Sequence, residues 1–213
     1  MAITKTRPGT SAAAATNGKK KPTNGAVRPP DKELGIEIQR FGDVIDRPIK
    51  LDEDERSKSC DLMNGVLADT QILYALYKKH HWLMRGHTFY QLHLLLDKHA
   101  EEQQQLADDL AERIQKLGGI AVGDPRHVAE LTDIPRPPDG AESVPAMPQR
   151  LLDAHELTIA RVRDGIEKTD DGDDQGTNDL LVSQVLRTNE THVWYIAEHL
   201  VDTPVVDGMA AGN

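Results

Sequence analysis

The sequence predicts an all-α protein built as a four-helix bundle, and three observations carry this. Four long stretches place apolar residues at helical spacing, no segment reads as a strand, and one connection is far longer than a bundle loop requires. The first helix runs from Asp52 to about His80, with acids in its first turn and Leu62, Val66, Leu73, Leu76 and Tyr77 at helical spacing. Gly86 breaks the chain, Thr88 is the expected N-cap, and a second helix follows from about residue 88 to Leu117, where Gly118 and Gly119 end it. Residues 120–145 hold five prolines and one short helix near Arg126 to Leu131, so they form a crossover that travels from one end of the bundle to the other. A third helix, about 147–168, uses Leu151, Leu152, His155, Ile159, Val162 and Ile166. The fourth, about 177–201, uses Leu180, Leu181, Val185, Leu186, Val193, Ile196, Ala197 and Leu200.

Four long helices with one long crossover in the middle fit a ferritin-like bundle, expected over residues 52–201. Residues 31–51, with Phe41, Val44, Ile45 and Ile49 interrupted by Gly42 and Pro48, read as an extended arm docked on a surface. Residues 202–213 form a short C-terminal tail. Residues 1–30 carry Lys5, Arg7, Lys19, Lys20, Lys21 and Arg28 and no acid, a charge of +6. The other 183 residues hold 19 basic and 35 acidic groups, a charge of −16. The basic tail has almost no large apolar residue to offset its ordering entropy, so disorder is expected there. Such an arm can neutralise nucleic-acid phosphates. The alternative, a solubilising tail without a specific partner, stands equally at this point.

Several classes are excluded. No apolar run approaches the ~18 residues of a membrane span. The N-terminus lacks the apolar core of a secretory signal, which leads to an expectation of a cytoplasmic protein. The single cysteine, Cys60, permits neither an internal disulfide nor a Cys-x-x-Cys site.

The chemistry concentrates on the second helix and the turn before it. His93 and Asp97 are four residues apart, as are Asp108 and Glu112. With His93 at 0°, Asp97, Asp108 and Glu112 fall at about 40°, 60° and 100°, one shared stripe. The apolar stripe of Leu92, Leu95, Leu96, Leu106, Leu110, Ile114 and Leu117 lies at about 200–300°. The four polar residues therefore point away from the chain's own core. Asp97 and Asp108 are about 16 Å apart along the helix and cannot share one ion. Their positions are, however, mirror-symmetric about residues 102 and 103, so an antiparallel copy of the helix would set His93 opposite its partner's Glu112 and Asp97 opposite its partner's Asp108. Two identical sites would then form across an isologous dimer interface, with His81 completing each set. Imidazole and carboxylate together suit iron. From composition alone Trp82 reads as an interface aromatic. His80, His87, His99, His127, His155, His192 and His199 read as surface or hydrogen-bonded core histidines.

These residues resemble the Dps family, the mini-ferritins. The resemblance rests on His81-Trp82, His93, Asp97, Asp108 and Glu112 at the family's intersubunit spacing, with Gly86, Phe89, Leu92 and Gly118-Gly119 around them. It spans about residues 52–201, and Asp179-Leu180-Leu181 with Glu190 and Trp194 are similar to the family's last helix. It implies a shell of twelve identical subunits, a homododecamer, that oxidises Fe(II) to Fe(III), preferably with hydrogen peroxide, and stores ferric mineral without any organic cofactor. His81, His93 and Asp97 would come from one subunit and Asp108 and Glu112 from another, with Trp82 as an electron donor beside them. Asp170, Asp171, Asp173, Asp174 and Asp179 are candidates for the acidic pores through which iron enters. No Glu-x-x-His pair occurs, which argues against the larger ferritins. The first histidine is His80, so an extra histidine-bearing metal site in the N-terminal arm should be absent or made only of carboxylates.

Two functions follow. One is a ferroxidase that consumes both iron and peroxide, detoxifies them and so protects DNA. The other is a nucleoid-associated shell that binds DNA non-specifically through Lys5, Arg7, Lys19, Lys20, Lys21 and Arg28.

Overall fold

The computed structural model describes residues 35–202. The six basic residues of the N-terminal tail, and residues 203–213, lie outside the described residues. Among the described residues the regular structure is entirely helical: α1 (Glu53–Leu83), α2 (Phe89–Leu117), a short α3 (Pro125–Leu131), α4 (Ala146–Asp171), α5 (Gln175–Leu180), a π-helical segment (Leu181–Leu186) and α6 (Arg187–Glu198).

Glu53, Asp54 and Glu55 occupy the first turn of α1, where the helix dipole favours negative charge. Thr88 sits at the N-cap of α2, but its side chain makes no capping bond. The far end of α2 is strongly terminated. Gly118 adopts φ 93°, its N–H bonds to the Gln115 carbonyl at 3.1 Å, and the Gly119 N–H reaches the Ile114 carbonyl at 3.0 Å. This is a Schellman closure.

The closure also seats the chain ahead of α1. Ile45 N–H donates to the Gly118 carbonyl at 2.9 Å, and a Cβ on Gly118 would stand 2.3 Å from the Ile45 oxygen. The buried Arg56 guanidinium donates to the carbonyls of Ile45 and Leu117, at 2.6 and 3.0 Å. Cys60 is buried beside Gly119, and burial raises its thiol to about 11, which makes it a packing residue and a poor nucleophile.

The crossover runs along α1 from Asn64 to just past its C-terminal end. Asn64 bonds both Ile120 and Val122, Gln71 bonds Val122, Asp69 accepts from Thr132 and Asp133, and Arg85 reaches the Glu142 carbonyl. Asn64 to Leu83 is about 28 Å of helix, more than a typical 2–8 residue bundle loop covers.

The last long helix departs from expectation. Its buried positions Thr177, Leu181, Val185 and Asn189 recur every four residues. On a regular α-helix that step drifts by about 40° each time. The wider π-helical turn absorbs the drift and keeps Asn189, His192 and Ile196 facing inward. Val193 and Ala197, expected on the apolar face, are only partly buried.

The core has two apolar parts. One gathers Met63, Val66, Leu67, Leu110, Ile114, Val162 and Val185, the other Leu73, Leu76, Leu92, Leu96, Met147, Leu151 and Ile196. On α2, α4 and α6 the residues between these parts are polar and buried: His99 and Gln103, His155 and Thr158, Asn189 and His192.

Candidate metal centre

The end of α1 and the first turns of α2 bring His81, His93 and Asp97 together. The two imidazoles stack with centroids 3.7 Å apart, and Phe89 stacks on the other side of His93 at 5.0 Å. Each ring is anchored on the other's backbone, His81 Nδ1 lying 2.7 Å from the His93 carbonyl oxygen and His93 Nδ1 3.0 Å from that of His81. Carbonyls only accept, so both Nδ1 atoms carry hydrogen and both Nε2 lone pairs remain free. His81 Nε2 lies 3.9 Å from Asp97 Oδ1. Lys78 bonds the same carboxylate and, as the main cause, holds Asp97 below the usual carboxylate range. The neighbouring His80 turns into the core, so His81 is the residue that faces Asp97.

Asp108 and Glu112 stand exposed further along α2, and Glu112 pairs with Lys116 at 3.2 Å. Within one chain they are not gathered with His81, His93 and Asp97. Trp82 is 71% exposed next to His81. The exposed Tyr90 and Leu94 share the α2 stripe with Asp97, an apolar element on an otherwise acidic face.

Of the acidic residues near the last connection, Asp170 and Asp171 end α4, Asp173 turns the chain at φ 60°, and Asp179 accepts from Ser183. All four are exposed. Asp174 differs: it is buried, caps α5 through Thr177 N–H and pairs with Arg113 at 2.5 Å. Burial raises its carboxyl, but the bonds from Thr177 and Ser59 and the Arg113 charge outweigh that and leave it lowered. A capping carboxylate so enclosed holds the fold and does not offer a solvated charge.

The buried polar layer holds a second group that the reading of isolated histidines missed. Ligand atoms of His99, Glu102 and His192 lie within 4.8 Å of one another. His99 and His192 stack with centroids 3.8 Å apart. His192 Nε2 meets Glu102 at 2.7 Å, Gln103 Nε2 donates to His192 Nδ1 at 3.2 Å, and Tyr77 bonds His155 at 2.5 Å. His155 and His192 are thus hydrogen-bonded core histidines, whereas both ring nitrogens of His99 and of His80 lack partners. Each such orphan costs about 1–3 kcal/mol. Burial lowers His99, His155 and His192 to about 3 and His80 to about 4. The overlooked signal was angular, since His99 and Gln103 fall at about 240° and 280° on α2, inside its apolar stripe.

A family model described as Ferritin-like domain matches residues 60–206. The chain is 63% identical to DpsC from Streptomyces coelicolor, with a TM-score of 0.80 over 80% of this chain and 99% of that one. It also resembles, at 26% identity and a TM-score of 0.68 over 73% of this chain and 96% of the other, a Dps protein from Vibrio cholerae O1 described as a member of a broad superfamily of ferritin-like diiron-carboxylate proteins. A curated relative from Nostoc, named nutrient stress-induced DNA-binding protein, is 31% identical over 82% of this chain and 92% of its own length. With its helical bundle and its stacked histidine pair beside a carboxylate, this chain belongs to the Dps family of ferritin-like proteins.

Proposed function

We propose that this protein is a ferroxidase that oxidises Fe(II) at sites shared between two copies of the chain and stores the ferric product inside a dodecameric shell. The observation that carries the reading is the pair of imidazoles whose Nδ1 atoms are tied to backbone, leaving two Nε2 lone pairs beside Asp97. Rings so held need no reorganisation to bind a divalent ion. Asp97, already charged and paired with Lys78, exchanges an ammonium for Fe2+. A second chain supplies Asp108 and Glu112, exposed on the same stripe, as hard oxygen ligands that favour the ferric state. Peroxide accepts two electrons, so one H2O2 and two protons convert two Fe(II) into two Fe(III) and yield two waters. Exposed Trp82 beside His81 is placed to donate an electron when only one iron is bound. Exposed Asp170, Asp171, Asp173 and Asp179 raise the local concentration of cations. We place the protein in the cytoplasm; among the described residues no helix is long and apolar enough to cross a membrane.

Stopped-flow oxidation of Fe(II) by peroxide tests this, comparing the intact protein with a His93→Ala, Asp97→Ala variant of equal oligomeric size. The fast phase is expected to vanish in the variant; equal rates would refute the site.

A second reading, DNA binding through the tail, is favoured by its +6 charge and by the Nostoc relative's name. Deleting residues 1–30 should abolish DNA retardation at low salt and leave iron oxidation intact. Retention of DNA binding would refute the tail's role.

A further inference from the structure

The fully buried ring of His99, with both nitrogens unpartnered, lies against His192 and next to Glu102 in the interior of a single chain. We propose that His99, Glu102 and His192 bind a divalent first-row transition ion inside the bundle, separately from the surface site. Two neutral imidazoles and one carboxylate form a donor set that such ions favour over Mg2+ or Ca2+. The set also differs from the Glu and Glu-x-x-His sites of diiron bundles, having one carboxylate in place of several.

Three features point to a ligand rather than to a polar packing layer. First, no protein group hydrogen-bonds either nitrogen of His99, and an ion would satisfy one of them. Second, Gln103 Oε1 is also buried without a partner. An ion on His192 Nε2 moves that ring's proton to Nδ1, and the Gln103 amide then turns, giving up its bond to Asn189 Oδ1, to bring Oε1 onto Nδ1 as acceptor. Third, the site has an entrance. Glu102 is half-exposed and lines a cleft of about 400 Å³ between α2 and the last helix, together with Asp109, Gln105, Ser183 and Thr188. Binding requires the donors to contract from within 4.8 Å of each other to the roughly 3.3 Å separation set by metal–ligand bonds of about 2.0–2.1 Å, and the two stacked rings to tilt apart so that both lone pairs meet the ion. The π-helical segment just before Asn189 is what turns His192 inward to the same level as His99.

Co2+ is the probe, titrated into the assembled His93→Ala, Asp97→Ala protein so that the surface site does not contribute. One Co2+ per chain is expected, with visible ligand-field bands, displaced by Zn2+ and unaffected by excess Mg2+. Glu102→Gln, at the half-exposed mouth where folding is not at risk, should weaken Co2+ binding by about 10–100-fold, and His192→Gln by at least as much. No Co2+ bound in the double variant, ready displacement by Mg2+, or unchanged affinity in Glu102→Gln would each overturn the proposal. Should His192→Gln fail to assemble, Glu102→Gln decides it alone.

Discussion

Two stacked imidazole pairs each take one ring from α2, His93 and His99, less than two turns apart, and their surroundings make them different chemical objects. His81 and His93 stack at 3.7 Å and His99 and His192 at 3.8 Å, so the rings themselves are equivalent. The first pair is anchored through Nδ1 to two backbone carbonyls and opens toward solvent beside Asp97. The second is closed inside the bundle, and one of its rings has no hydrogen bond at all. Backbone anchoring fixes which nitrogen is free, whereas enclosure only removes water. On the functions proposed above, the outer pair would serve an ion that must arrive, react and leave, and the inner pair one that stays.

The largest effect that would break this contrast is a complementation of half-sites. A chain with His93→Ala and Asp97→Ala and a chain with Asp108→Ala and Glu112→Ala should each be inactive in fast iron oxidation. In a mixed dimer one site is assembled from the intact halves of both, so unfolding and reassembling an equal mixture should recover about a quarter of the native sites. No recovery in mixed assemblies of native size would mean that Asp108 and Glu112 do not act across an interface.

Acid stability probes the buried histidine layer around the inner pair. His155 and His192 have folded pKa values of about 3 against about 6.5 unfolded. The folded state binds fewer protons, so their contribution is complete above about pH 6.5 and is lost as pH falls toward 3. Between pH 6.5 and 5, before most carboxylates titrate, each such histidine should cost about 2 kcal/mol. Urea midpoints measured over that window should fall, and more shallowly in a Tyr77→Phe, His155→Leu variant. A pH-independent midpoint would show that these histidines are not held neutral.

The termination of α2 tests whether the scaffold beneath both pairs is as tight as its geometry suggests. Gly118→Ala places a Cβ against the Ile45 oxygen at positive φ and should destabilise the protein by about 1–3 kcal/mol, read as a lower thermal midpoint. The smallest effect belongs to Lys78. Its ammonium competes with a metal for Asp97, and because ion pairs near the surface are worth little, Lys78→Ala should tighten Fe2+ binding by only about 2–5-fold. Weaker binding in that variant would mean that Lys78 orients the carboxylate instead of blocking it.

The helices and the grouping of His93 with Asp97 were legible because both are local patterns. Periodicity locates α1, α2 and α4 to within a few residues, and a four-residue spacing puts His93 beside Asp97 whatever the rest of the chain does. The ends needed more: α1 continues to Leu83 and α4 to Asp171, past the apolar positions from which the periodicity was read. Asp174 looked like a member of an exposed acidic run until Arg113, distant in sequence, enclosed it.

The sequence by itself determined the all-helical class, the long crossover, the polar stripe on α2 and the terminating glycines, since each depends on residues within a few turns of one another. Tertiary structure alone decided which of His80 and His81 faces Asp97, where a π-helical turn restores the phase of the last helix, and that His99, Glu102 and His192 from two distant helices meet. Those outcomes depend on the rotation of one helix against another, a quantity that the local spacing of residues does not contain.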